Sequence, residues 1–283
     1  MALRSLFLTL LLFSVSPTFG ADPSQTFDPE FFAFENGVGF GKTKEQVETL
    51  KGLGYDSLGS AKAHDLPARL KFHKEAGLRI SSLYIGGKIG GNKDAQAINP
   101  ALPDAIKQLK GYDAMIELTV QGNSKNTDDE AVAFVREVAD LAKASGLRVV
   151  LYPHSGFYVD TLGDAVRIAK LCERDNVGAM FNLCHFFKVE PKSDLRTTLE
   201  NAGNLLWRVS TCGTDVGGTK WNELIQPLDK GSFDQVAFLK TLREIGFSGD
   251  VGLQCYAVSG DPKENLKRSI EAWREYLAES LKE

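Results

Sequence analysis

Along the chain, stretches whose apolar residues recur every three or four positions alternate with short runs of continuous apolar character. In residues 130–144 the side chains Val132, Phe134, Val135, Val138 and Leu141 fall on one face, which predicts an amphipathic surface helix. Seven times such a helical pattern closes at a turn, usually on Gly or Asn, and a short apolar strand follows, as in HKEAGLRISSLYI, AKASGLRVVLYP and LREIGFSGDVGLQC. Residues 31–38 (FFAFENGV) add a first strand with no preceding helix, which makes eight. Strands that alternate with helices require parallel pairing through right-handed crossovers, and eight such units predict a single-domain α/β fold, the (β/α)8 barrel. An open doubly wound sheet would carry a glycine-rich phosphate turn after its first strand. Here Phe40-Gly41-Lys42-Thr43 lacks the phosphate-loop frame, and the glycines at 86, 87, 90 and 91 follow the third strand.

Side chains of a barrel strand alternate between helix layer and interior. This parity turns Val150, Tyr152 and His154 inward on the fifth strand, Met180, Asn182 and Cys184 on the sixth, Arg208, Ser210 and Cys212 on the seventh, and Gly252, Gln254 and Tyr256 on the eighth. Trp207 and Val209 are expected outward. Polar residues therefore collect inside, toward the C-terminal ends of the strands, where sites of this architecture are built. On the fourth strand, Glu117 shares inward parity with Met115 and Thr119 and is the best-placed carboxylate for a general base; its alternative role is an ion pair with Arg79 or Lys88. His73 is expected on a helix surface.

Composition narrows the function classes. The chain has 283 residues, 33 Lys and Arg against 37 Asp and Glu, and 43% hydrophobic residues. That balance offers no electrostatic attraction for nucleic acid or an anionic membrane. A basic start, the apolar run at residues 5–13 (SLFLTLLLF) and small residues before Ala21 read as a signal peptide over residues 1–20, leaving residues 21–283 as the barrel domain. The run is too short to span a bilayer, so the expectation is an exported protein with no membrane anchor. Four cysteines without a CxxC or CxxH spacing read as buried thiols, with pairing among Cys184, Cys212 and Cys255 left open.

The segments LYPHSG, FNLCHF, CGTD and GSFDQVAFLKTLREIGFSGDVGLQCY resemble the xylose isomerase-like superfamily of sugar isomerases and epimerases, over nearly the whole mature chain. The resemblance implies a divalent ion held by Glu, Asp, His and Glu, one from each of the last four strands. Those positions map here onto Tyr152, Asn182, Cys212 and Gln254. Hard ions depend on charged oxygen ligands, so the substitutions imply that the usual ion and any other cofactor are absent. A zinc ion held by Cys212, His154 and His185 is the alternative. His154 and His185 keep the family's offsets from the ligand positions, and the resemblance gives them roles near the substrate.

Two functions follow from these residues. In the first, an enzyme of the isomerase, epimerase or lyase type abstracts a proton from a carbohydrate with Glu117, His154 and His185, while Glu35, Lys88, Tyr152, Asn182, Cys212 and Gln254 hold the substrate. Lys88, a protonated histidine or zinc would stabilise the enediolate. The second is a non-catalytic relative that binds a sugar or a partner. A DNA-repair nuclease, which the superfamily also contains, fails on export, charge and the missing ligands. The sequence leaves the oligomeric state open.

Overall fold

The computed structural model describes residues 27–90, 97–98 and 100–282. The expected leader at residues 1–20 lies outside the described residues. One sheet contains β1 (Phe31–Phe34), β2 (Ser57–Gly59), β3 (Arg79–Ile80), β4 (Ser82–Lys88), β5 (Ala97–Ile98), β6 (Met115–Gln121), β7 (Arg148–Leu151), β8 (Val177–Asn182), β9 (Leu206–Thr211) and β10 (Asp250–Leu253). Its order is β3-β2-β1-β10-β9-β8-β7-β6-β4-β5, and every neighbouring pair is parallel except β4 with β5. Because β3 and β4 are two parts of one run parted at Ser81, and Ala61 bridges Leu83 in parallel, the ends of the order meet. The result is a nearly closed α/β barrel in which nine parallel strands fill the eight expected positions.

The helices are α1 (Thr43–Leu53), α2 (Leu66–Ala76), α3 (Leu102–Gln108), α4 (Asp128–Ala144), α5 (Leu162–Cys172), α6 (Leu183–Val189), α7 (Leu195–Ala202), α8 (Trp221–Leu224), α9 (Gln235–Glu244) and α10 (Pro262–Ser280). Local chemistry sets their limits. Thr127 with Glu130 and Thr161 with Asp164 form capping boxes at the starts of α4 and α5, and Asp234 and Asp261 cap α9 and α10. Left-handed Gly54 and Gly77 end α1 and α2. On α4, Val132, Phe134, Val135 and Val138 are buried as the periodicity predicts, but Leu141 sits at the edge of the stripe, 37% exposed, and Ala142 is buried instead. Among the described residues, no helix is long and apolar enough to cross a membrane.

Two apolar layers result. Outward residues such as Phe31, Val149, Phe181, Val209, Val251 and Leu253 join the helices in the main core. Phe32, Phe34, Val150, Tyr152 and Met180 fill the barrel interior. Phe32 fits because Gly59 and Gly252 flank it, where an added Cβ would lie 2.2 Å from its ring on either side. Trp207, expected outward, instead packs on the inner cluster and covers Gly178, whose missing Cβ would lie 2.3 Å from the indole. His73 is likewise corrected: it is buried on α2 at 1% exposure, its ring nitrogens have no hydrogen-bond partner among the described residues, and burial pushes its pKa down to about 4.

Candidate active site

Parity fails beyond the strand ends, and this shapes the site. β8 stops at Asn182, and the chain turns at once into α6, so Cys184 and His185 follow a helical period. Cys184 then packs with Cys212, Leu224 and Ile225 in a small cluster of its own. Past β9, Cys212 is fully buried, with Sγ 3.2 Å from the Leu224 carbonyl oxygen and 3.4 Å from Thr214 Oγ1. All four cysteines are free thiols.

A pocket of about 770 Å³ opens at the C-terminal ends of the strands. Its walls are aromatic: Phe34, Tyr84, Tyr152, Trp221 and Tyr256. Trp221 and Tyr256 are 42% and 61% exposed at the rim, where flat rings can receive the apolar face of a sugar. Polar groups enter from Asn36, Ser60, Lys62, Asn222 and Gln254, and the two histidines face each other with ring centroids 4.3 Å apart.

The histidines are oriented by a single residue. His154 Nδ1 lies 3.0 Å from the Ser155 carbonyl oxygen, which can only accept, so Nδ1 carries the proton and Nε2 holds the lone pair. Ser155 N–H donates to His185 Nδ1 at 3.1 Å, which places the His185 proton on Nε2. Neither Nε2 is engaged by another described residue. Burial lowers the pKa of both rings, that of His185 to about 3 with a further contribution from His154 beside it. Both are therefore neutral near pH 7, one a base and the other a donor. His154 stacks on Phe157 at 4.2 Å, and Trp221 meets the His185 ring edge-on at 5.4 Å.

Glu117 lies elsewhere. It is completely buried beneath the pocket floor, 3.3 Å from Arg208, which is also fully buried and stacks over Phe32 at 3.8 Å. One Glu117 oxygen accepts from Ser82 Oγ at 2.8 Å and the other from Ser60 Oγ. The general base expected here is thus placed in a closed ion pair, and its partner is Arg208 in place of Arg79 or Lys88. Glu35 is also outside the pocket, bonded to Arg69 and to the Lys62 N–H, and Lys88 is exposed without lining it. Ser60, Lys62, Tyr84, Trp221 and Asn222 complete the pocket without having been selected from the sequence as site residues. Inward parity could not identify them, since all but Tyr84 come from segments beyond the strand ends.

The residues at the implied metal positions do not fit a cation. Asn182 Nδ2 donates to the Tyr152 hydroxyl, as does Gln254 Nε2 at 3.2 Å. Gln254 Oε1 accepts from Asn36 Nδ2 at 2.8 Å and from the Tyr256 N–H at 3.1 Å. Amide hydrogens thus converge on a neutral phenol whose pKa burial raises well above its usual value, whereas a divalent ion needs converging lone pairs and charge. The zinc alternative fails as a cluster, because Cys212 lies outside the pocket lining that contains His154 and His185. Among the described residues, no three His, Cys, Asp or Glu side chains converge to hold a metal.

The family described as "Xylose isomerase-like TIM barrel" matches residues 47–276. Inosose isomerase of Bacillus licheniformis is 27% identical over 131 residues, 44% of this chain and 46% of that protein, so the match spans less than half the length of the curated relative. The crystal structure of the IOLI protein with a bound zinc atom superposes with a TM-score of 0.73 at 16% identity, covering 90% of this chain and 100% of that one. L-ribulose 3-epimerase gives a TM-score of 0.72 at 14% identity over 89% of this chain and 96% of the other. The 3-keto-D-glucoside 4-epimerase of E. coli gives 0.67 at 18% identity over 88% and 99%. At these identities the structural likeness concerns the fold.

Proposed function

The chain belongs to the xylose isomerase-like TIM barrel family, and from that premise we propose that it is an exported sugar isomerase or epimerase that moves a proton with a pair of neutral histidines and no divalent ion. The observation that carries this reading is the opposite orientation of the two rings by the Ser155 backbone. His154 Nε2 removes the proton from the carbon next to the substrate carbonyl. The electron pair of the broken C–H bond moves to the carbonyl oxygen, to which His185 Nε2–H donates. An isomer results when the proton of the adjacent hydroxyl passes to the former carbonyl oxygen and His154 returns its proton to the former carbonyl carbon; an epimer results when the enediolate turns in the pocket and His154 returns the proton to the other face of the original carbon. Asn36, Asn222 and Gln254 supply hydroxyl contacts, and the aromatic walls hold the ring. Glu117 has no catalytic role in this scheme.

The test is proton exchange in D2O, followed by NMR across a panel of aldoses and ketoses. Wild-type protein is expected to place deuterium next to the carbonyl of its substrate, and His154→Gln to abolish this. A second reading, a sugar-binding protein without turnover, is favoured by the closed Tyr152–Asn182–Gln254 network. Sugar binding by calorimetry with no exchange on any sugar would select it.

A further inference from the structure

The mechanism develops an oxyanion in a pocket whose lining contains one lysine, Lys62. The surrounding structure is organised around that residue. Its N–H donates to Glu35 Oε2 at 2.7 Å, and its carbonyl oxygen accepts from Arg69 Nη1 at 2.8 Å. Glu35 and Arg69 are bound to each other at 2.7 Å, with side chains only 10% and 5% exposed. A nearly buried ion pair thus grips both backbone groups of one residue.

The two preceding residues are fixed as well. Ala61 is bridged to Leu83 in the sheet. Ser60 adopts φ 48°, a left-handed conformation that is unfavourable for a non-glycine residue and persists only where neighbouring bonds enforce it. Those bonds are Ser60 N–H to Ser82 Oγ at 2.8 Å and Ser60 Oγ to Glu117. Among the described residues the Lys62 ammonium has no ion-pair or hydrogen-bond partner, although its backbone is held on both sides.

We propose that Lys62 is a catalytic residue, a cation on a held backbone that stabilises the enediolate oxyanion at the position in the reaction where a divalent ion would otherwise supply the charge. Glu35 and Arg69 are its positioning residues. This inference rests on the proton-transfer reading above. A cation placed there would act on a group that exists only in the transition state and intermediate, and so on turnover more than on ground-state binding. The proton balance is unchanged: His154 takes and returns the proton while Lys62 stays an ammonium.

Lys62→Met is expected to lower kcat roughly 100-fold with KM nearly unchanged, the size of loss seen when one oxyanion donor is removed. Lys62→Arg should recover part of that loss. Glu35→Gln should lower kcat by a smaller factor at similar KM. A binding measurement decides the matter apart from turnover. Wild type should bind a four-carbon sugar hydroxamate, a planar anionic enediolate mimic, more tightly than the matching neutral amide, and Lys62→Met should lose that preference while still binding the amide. The proposal is overturned if wild type shows no preference, if Lys62→Met keeps it, or if the variant raises KM for carboxylated sugars alone. Exchange that survives His154→Gln, by contrast, would defeat the proton-transfer reading and leave the hydroxamate preference to judge Lys62.

Discussion

Two polar clusters lie one above the other inside the barrel. The lower one, Glu117 with Arg208, Ser60 and Ser82, is charged and sealed: both ionic side chains are at 0% exposure and both carboxylate oxygens are engaged. The upper one, His154 with His185 beside Tyr152, is neutral and faces a cavity of about 770 Å³ with unengaged nitrogens. Charge marks the structural layer, where even Arg208 Nε, without a partner among the described residues, is sealed from solvent, and hydrogen-bonding capacity open to a cavity marks the chemical one. A buried ion is costly unless every lone pair is satisfied, so a group able to remain charged at the barrel centre has little capacity left for a substrate. Neutral rings bear a smaller desolvation cost and can keep a face open.

Breaking the upper cluster should have the larger effect on turnover. His154→Gln is expected to reduce kcat about 100- to 10,000-fold, as loss of a general base does, without changing unfolding in urea. Because burial lowers the His154 pKa, the acid limb of kcat/KM should fall below pH 6.5, where protonation of that ring removes the base. Breaking the lower cluster should act on stability. Glu117→Gln leaves the buried Arg208 with only the Asp250 carboxylate at 3.5 Å as counter-charge and is expected to cost about 3–5 kcal/mol in urea unfolding. Glu117→Leu combined with Arg208→Met should recover most of that loss, which would confirm that the pair serves the barrel and not the reaction.

Tyr152→Phe lies between the two clusters. It removes the acceptor for Asn182 and Gln254 and is expected to cost about 1–3 kcal/mol of stability, with a smaller loss of sugar affinity measurable by calorimetry. The smallest effect at neutral pH belongs to His73. Its folded pKa of about 4 lies below the ordinary 6.5, so the unfolded chain takes up a proton first and stability declines as pH drops between those values. His185, at about 3, contributes in the same direction. His73→Phe should flatten the fall of the urea midpoint between pH 6.5 and 4.

These clusters also show what could be read from sequence. Helix periodicity and inward parity place the eight barrel positions, and Tyr152, Asn182 and Gln254 do meet at one point. Parity reports inside or outside but not depth along the axis, which is why Glu117 reads as a base while it serves as a counter-ion. It also ends with the strand. Cys184 and Cys212 leave the inward set because α6 begins after Asn182 and the chain folds back at Gly213 to pair with Gln226. Lys62 and Trp221 sit on connecting segments whose course depends on contacts far along the chain, such as Glu35 with Arg69. No local pattern announces them.

The most direct test of the central claim, proton transfer by the histidine pair without a divalent ion, is deuterium incorporation into the substrate sugar in D2O before and after exhaustive chelation. Exchange at an unchanged rate in the chelated wild type, and its loss in His154→Gln, is the predicted result. Exchange abolished by chelation and restored by added zinc, manganese or magnesium would contradict it.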